Sequence, residues 1–152
     1  MLQGLDVSIG YVINTHSLNQ NCYYCSVAFL KGIDTDELVS RTEIMQEQTA
    51  NLDVIEKLMG EAGIAYDFSG MQHVNDIEQY TELIPLNARF GLAFQRLDGT
   101  GHMIVGEQNA RGIFTLYDPQ VAKEAQHDEI PSYIRLNNMY TFGLFLVTPQ
   151  SC

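Results

Sequence analysis

A chain of 152 residues, 45% hydrophobic and 18% charged, is long enough to bury roughly two thirds of its unfolded surface in one core, and its composition is far from that of disordered chains. Nineteen acidic against eight basic residues give a net charge of −11, which repels phosphate backbones and anionic lipid and argues against nucleic acid and membrane surfaces as partners. No apolar run approaches the ~20 residues of a bilayer span, and Met1 to Gly10 lacks a basic and an apolar stretch of signal-peptide length, so one domain over 1–152 without an export address is expected.

In chain order, Asn21 is placed to cap a helix from about Cys22 to Lys31, which Gly32 stops. Asp34 or Thr35 opens a second helix, with Glu37 near its first turn. Asn51 caps a third, in which Leu52, Ile55, Leu58, Met59 and Ala62 share a face before Gly63 ends it. A short strand over Ile64 to Phe68 follows, and Asn75 opens a fourth helix presenting Ile77, Tyr80 and Ile84 ahead of Pro85. From residue 89 the period changes to that of strands: Phe90 to Leu97, His102 to Glu107 and Ile113 to Asp118, joined by Asp98-Gly99-Thr100-Gly101 and by the loop Gln108 to Gly112. Pro119 to Asn138 reads as polar and irregular, and Tyr140 to Val147 as a final strand. Helices followed by antiparallel strands predict an α+β layout.

The second hairpin carries the first chemical clue. With its loop centred on Ala110, paired residues sum to 220, which sets His102 opposite Asp118 on one face of the sheet, close enough for the carboxylate to orient the imidazole and stabilise its protonated form. Such a pair is also an ordinary feature of a polar sheet rim, so its meaning depends on a third group. Cysteines stand at 22, 25 and 152, an odd number in a chain that supplies its own core, so no disulfide framework is implied. Cys22 falls at the first turn of the first helix, where unpaired amides favour a thiolate. Cys25, a turn deeper, shares a face with Phe29 and reads as core; a helix starting three residues later would exchange the two cysteines' roles.

Cys-Tyr-Tyr-Cys lacks the second ligand pair that zinc requires and the preceding strand that a redox dithiol requires, so neither a metal nor a cofactor is expected. His16, His73 and His127 have no partner at fixed spacing and read as loop or core-edge residues, and Tyr23 and Tyr24 either line a groove or pack the helix onto the sheet.

Asn21-Cys22-x-x-Cys25-x-x-Ala28-x-x-Lys31-Gly32, Gly101-His102-Met103-Ile104-Val105 and Leu116-Tyr117-Asp118-Pro119-Gln120 together resemble the three motifs of papain-fold toxin domains, the bacterial effector and polymorphic-toxin modules that include glutamine deamidases. The resemblance covers two blocks, 20 to 32 and 89 to 120. It implies a papain-like fold with Cys22 as nucleophile, His102 as general base and acid, and Asp118 as orienting carboxylate. Aligned with papain's own paired cysteines, Cys25 becomes the alternative nucleophile. Papain has an upstream glutamine in its oxyanion hole, and Gln20 is the candidate here. The implied activity is deamidation of a glutamine or asparagine side chain of a target-cell protein, with papain-like proteolysis as the alternative and a non-catalytic acidic binding module as the second. A cognate immunity protein or a chaperone are the further partners implied, together with secretion by a specialised bacterial system without a Sec signal and action in the target-cell cytoplasm.

Overall fold

The computed structural model describes residues 22–41 and 52–148. The proposed helix caps Asn21 and Asn51, and also Gln20, His16 and Cys152, lie outside the described residues.

Helix α1 spans Cys22–Lys31. From Tyr23 on, its buried residues Cys25, Ser26, Val27, Ala28 and Phe29 point to every side of the axis, the pattern of a helix enclosed by protein. It ends where Gly32 turns left-handed at φ 84°, with the amides of Gly32 and Ile33 both reaching the carbonyl of Ala28. Helix α2 (Thr35–Arg41) is capped by Asp34, whose Oδ1 accepts the amide of Glu37 at 2.9 Å. Helix α3 (Leu52–Glu61) buries Ile55, Leu58 and Met59 against α1, the face expected from its spacing.

The remaining chain builds one antiparallel sheet from β1 (Tyr66–Phe68), β2 (Gln72–His73), β3 (Ala88–Arg96), β4 (Gly101–Gln108), β5 (Phe114–Asp118), β6 (Lys123–Ala125) and β7 (Met139–Val147). Its order is β1-β7-β3-β4-β5-β6, with β2 also on β7. Two short helices, α4 (Ile77–Thr81) and α5 (Ile130–Leu136), interrupt it. Each sheet face covers a core. Ala93, Met103, Val105, Tyr117 and Phe145 pack under α1, α2 and α3, whereas Phe90, Leu92, Phe94, Ile104, Leu116 and Leu144 pack under Ile77, Tyr80, Ile130, Tyr133 and Ile134. The fold is therefore α+β, with the N-terminal helices packed on an antiparallel sheet.

Three local expectations are corrected. His73, not Asn75, opens the fourth helical segment: its Nδ1 accepts the amide of Asn75 at 3.1 Å, and a single 3-10 turn intervenes before α4. The stretch after Pro119 is not irregular, since it holds β6 and α5. The third correction concerns the hairpin register. Val105 pairs with Tyr117 and Gly106 with Leu116, so paired numbers sum to 222 and the loop is centred on Arg111 rather than Ala110. Asn109 is the cause. Its Oδ1 accepts the amides of Arg111 and Ile113, and its own amide reaches the Ile113 carbonyl, closing a loop centred one residue further along than composition suggests, which shifts the pairing by two.

Candidate active site

The corrected register sets Ile104 opposite Asp118, with His102 two residues farther along β4. A shift of two preserves the face, so His102 and Asp118 become diagonal neighbours. Nε2 of His102 lies 2.7 Å from Oδ2 of Asp118, with 14% and 15% of the two side chains exposed. The other carboxylate oxygen, Oδ1, accepts the amide of Gln120 at 3.0 Å, so both ends of the carboxylate are held. A carboxylate only accepts; Nε2 therefore carries the proton, and Nδ1 is the nitrogen with a lone pair for an incoming proton. Phe94, paired with His102 across β3 and β4, meets the imidazole edge to face at 5.7 Å and carries the Arg96 guanidinium over its ring at 5.3 Å.

The pair stands where β4 outruns its neighbour. Continued, the register would bring Pro119 opposite Met103, but proline has no amide to donate and β5 stops at Asp118. Among the described residues no strand flanks 101–103 on that side. The Met103 carbonyl is instead taken by the buried hydroxyl of Ser26, on α1, at 2.8 Å.

That contact fixes where α1 begins. Leu30 lies against Gly91, which pairs with Val105, so α1 and β4 run the same way. One helical turn back from Ser26 and two strand residues back from Met103 are both about 6 Å, which sets the backbone of Cys22 level with Gly101 and His102. The Cys22 side chain is outside the described set, as is that of Tyr24. Cys25 is fully buried in the core beneath the helices, and Tyr23 packs there too, which answers for that residue the question of groove or packing. Ser26, Phe94 and the amide of Gln120 were not singled out by sequence reasoning. A serine in an apolar helix reads simply as a small residue, and Phe94 as core.

His127 and His73 both act on the backbone: Nδ1 of His127 accepts the amide of Phe114 at 2.9 Å, as that of His73 accepts Asn75. No group of three or more His, Cys, Asp or Glu side chains that could hold a metal occurs among the described residues, and none of the described helices is long and apolar enough to cross a membrane.

Tyr117, beside Cys25 in the helix-side core, has its hydroxyl pKa raised above the ordinary 10.0, first by burial and then by the charges of Asp118, Glu124 and Cys25. A raised folded-state value leaves stability intact below about 10 and removes it as pH climbs towards the folded value. The melting temperature is expected to fall above about pH 10, and to fall less steeply in Tyr117→Phe. Equal alkaline slopes in the two proteins, followed by calorimetry, would count against this role.

A family model for protein YopQ matches residues 4–152. The chain belongs to the YopQ family. The YopQ protein of Yersinia enterocolitica is 34% identical over 142 residues, a match that takes in 92% of this chain and 78% of its relative. Among solved structures, the Pseudomonas avirulence protein AvrPphB superposes with a TM-score of 0.48 at 15% identity, over 63% of this YopQ-family chain and 60% of AvrPphB.

Proposed function

We propose that this YopQ-family chain is a secreted bacterial effector and a papain-like cysteine amidohydrolase, with Cys22 as nucleophile, His102 as base and acid and Asp118 as orienting carboxylate. One observation carries the reading: a His102 and Asp118 pair at 2.7 Å, where β4 runs past the end of β5, level with the start of a buried helix that begins at a cysteine. Cys25 is the weaker candidate nucleophile, because a thiol with no exposed surface cannot meet a protein substrate.

In this scheme the helix start and His102 favour the Cys22 thiolate. The thiolate attacks the carbon of a glutamine or asparagine carboxamide, forming a C–S bond, while amides at the helix start, with Gln20 as a candidate, hold the oxyanion. His102 passes a proton to the leaving nitrogen, the C–N bond breaks, and ammonia departs. Water then attacks the thioester and gives its proton to His102, which releases the carboxylic acid and restores the thiolate. Amide and water become acid and ammonia.

Incubation with the substrate is expected to raise its intact mass by about 1 Da per event without fragments, and Cys22→Ala should abolish the gain. Fragments instead would move the assignment to proteolysis. An unaltered substrate, together with Cys22 alkylation no faster than that of a free thiol, would leave an acidic docking module whose association with basic partners falls steeply with salt.

A further inference from the structure

The bond between Ser26 and Met103 has a place in the proposed mechanism, and the role inferred for it rests on that reading of the site. Ser26 lies one helical turn after Cys22 on the same side of α1, since positions four apart are neighbours on a helix surface. Met103 is the residue after His102. The bond therefore joins the two elements that carry nucleophile and base at points one turn and one residue removed from the reacting groups.

The alternatives for fastening α1 here are poor. Around the contact the helix meets the sheet through apolar side chains, Cys25, Phe29 and Leu30 against Ala93, Val105 and Tyr117, and apolar packing resists movement but supplies no directional contact to select one register along the axis. A hydrogen bond is directional, and this one is fully buried, so sliding the helix along β4 would leave both a hydroxyl and a carbonyl unpaired away from water. The carbonyl is available to the serine because Pro119 ends β5 one residue short of it. The same proline follows Asp118. One chain feature thus both places the carboxylate at the end of its strand and opens the acceptor that locates the helix.

We infer that Ser26 is a positioning residue: its hydroxyl fixes the start of α1 against the β4 residue next to His102 and so sets the separation of thiol and imidazole. It touches no substrate and transfers no proton. Its removal misplaces Cys22 relative to His102, and a displacement of the order of 1 Å is sufficient to weaken the ion pair on which thiolate formation depends.

The test is the rate of Cys22 alkylation by iodoacetamide between about pH 5 and 9, read by peptide mapping in the full chain. Ser26→Ala is expected to slow the reaction about tenfold at the acidic end and to move the midpoint towards the ~8.5 of a free thiol, and Ser26→Thr, which keeps the hydroxyl, to restore much of it. Ser26→Cys fills the same space with a poor donor and should behave like the alanine variant, so the test survives if Ser26→Ala does not fold. Ile84→Val, a truncation in the core on the far face of the sheet, serves as the control for lost stability alone: it should lower the melting temperature and leave the profile unchanged. A Ser26→Ala or Ser26→Cys profile that overlays the unaltered one would overturn the positioning role. If Cys22 of the unaltered chain already titrates as a free thiol, the nucleophile assignment itself fails, and the two failures are thereby distinguished.

Discussion

Asp118→Asn is expected to slow alkylation of Cys22 at about pH 6 by roughly a hundredfold, the loss of thiolate that accompanies a rise of about two pH units in its midpoint, while the melting temperature changes little. The reason lies in the two contacts of the carboxylate. Oδ1 accepts the amide of Gln120 and Oδ2 faces Nε2 of His102. An asparagine can keep its oxygen towards Gln120 only by turning its NH₂ towards the imidazole. Nε2 must then accept, the proton moves to Nδ1, and the nitrogen that should receive a proton already holds one. The opposite amide orientation sets NH₂ against the Gln120 N–H. Either arrangement also removes the negative charge that stabilises the imidazolium. Unchanged alkylation in a variant that melts lower would assign Asp118 to holding its turn, and the triad would be lost with it.

Gly106→Ala should be among the most destabilising single-methyl additions to the sheet. A Cβ built at Gly106 comes within 2.2 Å of Phe90 Cζ and within 2.8 Å of two further ring atoms. Phe90 pairs with Gly106 across β3 and β4 and lays its ring over the glycine. The ring has nowhere to go: it is 2% exposed, with Phe114 edge-on at 6.2 Å. Overpacking of this kind costs about 3 kcal/mol, or roughly 10 °C in melting temperature for a chain of this size. Gly60→Ala is the matched comparison. Its Cβ meets nothing within 4 Å and it sits inside α3, so it should stabilise by about 0.5–1 kcal/mol. Equal melting temperatures for the two variants would show that Phe90 can move aside.

Much of the architecture was legible from periodicity. The spacing of Ile55, Leu58 and Met59 in α3, the apolar runs of β3 and β7, and Gly32 as the stop of α1 all appear as read, because each depends on local pattern and burial together. The contact between His102 and Asp118 survived a wrong register for a definite reason: the error was two residues, and side chains alternate with period two. The error arose because Asn109 closes its loop through its side chain, and hydropathy is blind to side-chain bonds to backbone. The oversight between Pro119 and Asn138 has a different cause. Pro131 in the first turn of α5, and the reciprocal capping of Gln126 with Glu129 on the 3-10 turn His127–Glu129 that precedes it, are both in the sequence, but short polar-flanked elements give too little periodicity to notice. The bond of Ser26 to Met103 spans 77 residues of chain, and local pattern carries no information at that range.

Enclosure of α1 on every side divides the site into a rigid and a compliant half. A helix with protein all around it, its register set by the bond of Ser26 to Met103, resists rocking and sliding, so the backbone that begins at Cys22 is a fixed reference, as are the paired strands behind His102. The hairpin turn with Leu97 and the turn with Val121 flank His102 and Asp118 in sequence, and both residues are exposed, at 71% and 55%. On the proposed function, the exposed apolar surface nearest the reacting groups in sequence therefore lies on turns and not on the helix that carries the nucleophile.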